Sequence, residues 1–104
     1  MSYSLFLDDE RDPPNDTKLW IIARNFNAAQ AIILVNGLPR FISFDHDLGA
    51  GPTGYDFVKW LSEYVMDNRL QFPEGFDFYV HSQNPVGKRN IENYLHAFLE
   101  HSNV

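Results

Sequence analysis

Carboxylates and imidazoles recur in this chain directly after apolar runs. Asp8-Asp9-Glu10-Arg11 follows Tyr3 to Leu7, Asp45-His46-Asp47 follows Phe41 to Phe44, and His81-Ser82-Gln83-Asn84 follows Phe76 to Val80. Brought together, Asp8, Asp9 and Asp45 would set several negative charges in contact, each pair costing about 1–4 kcal/mol at a separation of about 4 Å, depending on the local dielectric. Such a cluster needs a counter-charge, and hard carboxylate oxygens select Mg²⁺, Mn²⁺ or Ca²⁺. His46 and His81 have side chains suited to moving protons near neutrality. Ser82 and Asn84 can meet phosphate oxygens beside a helix N-terminus, with Arg11 and Lys88 as nearby cations. Each feature also has a plainer use. An acidic triplet is commonly a solvated turn, a histidine at a strand end can simply donate to backbone, and Asn84 can serve as a helix cap.

The elements that would position these groups are legible in outline. Tyr3 to Leu7 predicts a strand, which Asp12-Pro13-Pro14-Asn15-Asp16 follows as a breaker with no helix. Leu19 to Ala23 predicts a second strand. From Asn27, read as an N-cap, Ala28, Ala31, Ile32 and Val35 fall at helical spacing, and Asn36-Gly37 supplies the stop. Phe41 to Phe44 predicts a central strand covered on both faces. Thr53 and Asp56 form a capping box ahead of the stripe Phe57, Val58, Leu61 and Val65, beside which Tyr55, Trp60 and Tyr64 are either core or partner surface. Phe76 to Val80 predicts the last strand. Asn84-Pro85 then opens a helix with Ile91, Tyr94, Leu95, Phe98 and Leu99 on one face and His96 and His101 at its surface. Strands alternating with helices call for a parallel sheet with right-handed crossovers. In a flavodoxin-like order the switch point falls between the first and third strands, where Asp8-Asp9 and Asp45-His46-Asp47 would face each other.

Composition narrows the class. A chain of 104 residues makes one domain, residues 1–104, with its own core. The lack of cysteine excludes disulfides, thiolate nucleophiles and Cys-type zinc sites. A net charge of −6 argues against broad binding to duplex nucleic acid, while leaving a nucleotide or an RNA end open as a ligand. With no long apolar segment and no basic-apolar leader, the expectation is a cytoplasmic protein without membrane association.

Taken in order, Asp8-Asp9 after the first strand, Asp45 after Phe-Ile-Ser-Phe, Leu48, Gly54 opening the next helix and Ser82 after a further strand resemble the receiver domain of response regulators. The resemblance implies Mg²⁺ on the acidic pair, a phosphoacceptor-like Asp45 and a serine on the phosphoryl oxygens. The chain departs from that pattern where a Pro-rich loop replaces the first helix and where no fifth strand with its lysine follows, leaving Lys88 and Arg89 as the nearest substitutes. Asp-Asp-Glu-Arg, Phe-Asp-His-Asp-Leu-Gly and His-Ser-Gln-Asn together resemble the cyclic-phosphate-processing receiver variant. This implies a receiver-like α/β three-layer sandwich with a shortened, mainly parallel four-stranded sheet.

The same resemblance implies a metal-dependent phosphoesterase acting on RNA 2′,3′-cyclic phosphate ends or cyclic nucleotides. Asp8, Asp9 and Asp45 would hold Mg²⁺ or Mn²⁺. One of His46 and His81 would activate water and the other would protonate the leaving sugar oxygen, and Arg11, Ser82, Asn84 and Lys88 would hold the substrate. Asp47 is the remaining catalytic carboxylate candidate. Phe44-Asp45-His46-Asp47-Leu48 also resembles the Asp-x-Asp motif of haloacid-dehalogenase-like phosphatases, but that motif follows their first strand, so the likeness is superficial. Two other expectations stand beside the enzyme: a signalling receiver phosphorylated on Asp45, and a non-catalytic acidic module that binds a protein partner.

Overall fold

A computed structural model of the chain describes residues 2–102, with side chains through Glu100. The elements run β1 (Ser4–Leu7), β2 (Trp20–Ala23), α1 (Phe26–Asn36), β3 (Phe41–Phe44), α2 (Gly54–Asp67), β4 (Asp77–Val80) and α3 (Pro85–Ser102). All four strands are parallel in the order β2-β1-β3-β4, which is the receiver-like, flavodoxin-type arrangement with a shortened sheet. Leu7 pairs with both Ala23 and Phe44, and Phe44 pairs with Val80, so the four strands end in register.

Crossover handedness decides what covers each face. The connections β2-α1-β3 and β3-α2-β4 move the same way across the sheet, so right-handed crossovers put α1 and α2 on one face. The helix α3 packs beside α2. Leu5, Leu7, Ala23, Ile42, Phe44 and Val80 point to that side and bury against Ala29, Ile33, Phe57, Leu61, Ile91 and Leu95. The β1-to-β2 connection runs the opposite way and crosses the other face. It contains no helix, so the third layer expected there is the irregular 8–19 loop.

The helices depart from expectation mainly in α1. Its N-cap is Asn25, whose side chain accepts from the Ala28 N–H, and not Asn27. Ala29 and Ile33 are buried, Ala28 and Ile32 half-buried, Ala31 exposed and Val35 82% exposed. The cause is Phe26, which enters the helix and packs edge-on against Phe57 and Trp60, rotating the buried stripe by one residue. The capping box on α2 forms as read, with Thr53 Oγ1 accepting from the Asp56 N–H and Asp56 accepting from the Thr53 N–H. That backbone hydrogen bond, outweighing burial, holds the Asp56 carboxyl below its ordinary pKa. Tyr55, Trp60 and Tyr64 pack on the core, with Trp60 stacked on Tyr64 and Phe57. Phe76 falls outside β4 and stacks on Phe72 instead. His96 is exposed, while the His101 side chain lies outside the described residues. No described helix is long and apolar enough to cross a membrane.

Candidate functional site

One rung past the ends of the strands, the ladder continues through the backbone N–H groups of chemically active residues. Asp8 donates to Ala23 O, Asp45 to Leu7 O and His81 to Phe44 O. The equal strand lengths therefore set Asp8, Asp45 and His81 side by side at the carboxyl edge, where open α/β sheets hold their ligands. Strand alternation directs them to the loop-covered face, above Phe6, Ser43 and Tyr79 of the rung before.

Asp8 is fully buried, and Asp45 is 7% exposed. Asp8 Oδ1 accepts from the backbone N–H groups of Glu10 and Arg11 at 2.9 and 2.8 Å. Its Oδ2 lies 2.9 Å from His81 Nε2 and 3.9 Å from Arg11 Nε. Burial alone would raise the Asp8 pKa, but those two N–H donors and His81 together outweigh it and hold the carboxyl below its ordinary value. An ionised Asp8 can only accept, so His81 donates from Nε2. In neutral His81 this leaves Nδ1 to accept from the Ser43 hydroxyl, 2.7 Å away. The His81 ring stacks on Phe6 with centroids 4.7 Å apart.

Asp8, Asp45 and His81 each offer one donor atom, all within 4.8 Å of one another. Two ligands on one Mg²⁺ at about 2.1 Å stand no more than about 4.2 Å apart, so the Asp8 and Asp45 carboxylates can share a divalent cation after small adjustments, while His81, with both ring nitrogens engaged, stands beside it. A carboxylate has about four acceptor sites, and three on Asp8 already face N–H donors, which leaves one for a cation. Asp9 stands outside this set. It is exposed, with its Oδ2 against Gly49 in the loop after β3.

The remaining candidates divide between mouth and periphery. Arg11 hangs over the cluster, with Nη1 at 3.4 Å from His81 O. His46 is separate from the three-residue set. Its ring rests on Gly87 in the first turn of α3, where a Cβ would come within 2.4 Å of the His46 ring, and its Nδ1 is 3.1 Å from Asp47 Oδ1. Asp47 itself is exposed. Asn84 caps α3 by accepting from the Gly87 N–H, and Ser82 Oγ accepts from the Asn84 N–H. Lys88 extends over the Tyr79 ring, its Nζ 5.7 Å from the ring centroid.

Two contributors were not singled out in the sequence. Ser43 is the one polar residue of β3, two positions before Asp45 and so on its face, which was the available signal. Arg24 occupies the same end rung on β2. Its guanidinium donates to Asp8 O, Arg11 O and, at 2.7 Å, Asp12 Oδ1, so it pins the 8–12 turn across the sheet edge.

Fold and edge together define a receiver-like α/β domain whose acidic edge carries histidines. The family model of the Cyclic-phosphate processing Receiver domain matches residues 3–97, and the chain belongs to that family. No curated protein and no solved structure shows a significant match to the chain.

Proposed function

We propose that the protein is a metal-dependent phosphoesterase that opens cyclic phosphates, either cyclic nucleotides or the 2′,3′-cyclic ends of RNA. The observation that carries this reading is the cluster of buried Asp8 and Asp45 with half-buried His81, beside Arg11. Asp8 and Asp45 would hold Mg²⁺ or Mn²⁺, with His81 orienting Asp8 through its hydrogen bond. When bound, such a cation supplies charge neutralisation at the phosphoryl oxygens.

The protein's own groups account for the proton movements. Asp47 engages His46 Nδ1, so Nε2 is the nitrogen left to take a proton from water as its oxygen attacks phosphorus. The bond from phosphorus to one ring oxygen breaks, and that oxygen needs a proton. Both nitrogens of His81 are engaged, which argues against its direct contact with substrate. Protonated His81 donates to Asp8 and to Ser43 Oγ, freeing the Ser43 hydroxyl to protonate the leaving oxygen. His81 then returns a proton to Ser43, and exchange with solvent resets both histidines. Arg11 faces the charge that develops on phosphorus.

Hydrolysis of 2′,3′-cyclic nucleotides by the pure protein with Mg²⁺ or Mn²⁺ tests the reading. Asp45→Asn and His81→Ala should each remove activity. No turnover across cyclic nucleotides and cyclic-ended RNA would reject it.

A further inference from the structure

The face of the sheet opposite the helices carries a cavity of about 400 Å³ that runs from Ser43 and His81 at the cluster to the 8–19 segment. Because a loop rather than a helix crosses this face, Trp20, Phe41 and Tyr79 stay partly open, while Phe6 is buried. Phe6, Trp20, Phe41 and Tyr79 line the cavity, with Lys18 and Asp16 at the end remote from the cluster. The rings are held in place. Trp20 meets Phe6 and Phe41 edge-on at 5.6 and 5.9 Å, and its indole N–H donates to Asp16 Oδ1 at 2.9 Å. Lys18 Nζ lies 5.1 Å from the Phe41 centroid. Tyr79 is 57% exposed.

We infer that this cavity seats the nucleoside moiety of the substrate, with the base on the aromatic surface and the phosphate directed to the cluster. The inference rests on the proposed phosphoesterase reading for the phosphate end, and on the cavity for the rest. Its volume lies within the range of about 300–1,000 Å³ usual for small-molecule sites. Aromatic side chains on an open sheet face are the surface on which bases stack, tolerant of base identity. Lys18 Nζ and Asp16 Oδ2 pair with each other at 3.8 Å and keep spare donor and acceptor capacity, which suits the edge of a base and has no use for an alkyl chain. Ser43, His81 and Arg11 line the cavity as well, so one ligand spans both regions.

The test is binding, independent of turnover. The chain has two tryptophans, so Trp60→Phe leaves Trp20 as the sole indole reporter. Adenosine 3′-monophosphate should quench Trp20 and, by calorimetry on the wild type, bind about tenfold tighter or more than glycerol 2-phosphate, which lacks a base. Tyr79→Ala, at an exposed site that folding tolerates, should remove most of that advantage and leave glycerol 2-phosphate binding unchanged. Equal affinity for the two ligands, or a nucleotide affinity indifferent to Tyr79→Ala with no Trp20 response, overturns the inference. Nucleotide binding that follows this pattern without any hydrolysis upholds the nucleoside site and rejects the esterase. Hydrolysis of a base-free cyclic phosphate as efficient as that of a nucleoside 2′,3′-cyclic phosphate does the reverse.

Discussion

Gly54 sets the position of Asp45 through the space it leaves empty. A Cβ there would lie 2.0 Å from the Asp45 carbonyl oxygen, and the Gly54 N–H donates to His46 O at 2.8 Å. Gly54→Ala must therefore push the Asp45-His46 backbone off the end rung. The expected loss is about 3 kcal/mol of stability, read from urea unfolding, with Mn²⁺ affinity falling alongside it. Asp8 gives a second expectation at this scale. Its pKa is lowered in the folded state, so its stabilising contribution is fully present above the ordinary value of 3.8 and is lost as pH falls through the lower folded value. Urea midpoints of the wild type should drop below about pH 4, and Asp8→Asn should flatten that acid limb; an unchanged limb would refute the assignment. Asp8, Asp45 and His81 were legible because each directly follows an apolar run. Ser43 was not, because a serine within a strand carries no chemistry until its partner across the sheet is known.

Helix phase shows where pattern reading works and where it fails. The α2 stripe Phe57, Val58, Leu61 and Val65 is fully buried, since polar residues on the opposite face fix its rotation. The α1 segment is apolar nearly all round, so periodicity leaves its rotation open, and the docking of Phe26 on Phe57 and Trp60 chose it. A capping box has no such ambiguity because its partners are three residues apart. Thr53→Ala should destabilise the protein by about 1 kcal/mol, and Thr53→Ser by much less, in matched thermal melts. The cap also adjoins the site, since Gly54 is the first residue of the helix Thr53 caps. The 8–19 connection was readable as non-helical from its prolines. The flavodoxin-like strand order read from the alternation of strands and helices already implied that it crosses the face opposite α1 and α2, but the aromatic cavity it leaves there is formed by side chains of separate strands, which local sequence does not bring together.

The whole molecule is a sheet whose two faces do different things: one carries the core under three helices, the other the cavity under a loop. The acidic edge joins them, because Asp8, Asp45 and His81 belong to β1, β3 and β4 ends far apart in sequence. A cation held there by Asp8 and Asp45 would tie the ends of β1 and β3, with β4 joined through the His81 hydrogen bond to Asp8, segments that come together only in the folded state, so its binding free energy adds to global stability. With free Mn²⁺ at about 100 times its Kd, unfolding should become harder by about 2.7 kcal/mol. For a domain of this size that is a rise in Tm of about 10–20 °C. Asp45→Asn should abolish the rise, whereas Asp9→Asn, outside the buried set, should keep most of it. A rise retained in Asp45→Asn would place the cation elsewhere, and one lost equally in Asp9→Asn would return Asp9 to the ligand set. The contrast separates a site built by the sheet edge from general attraction to a chain of net charge −6, which either substitution would reduce by one unit alike.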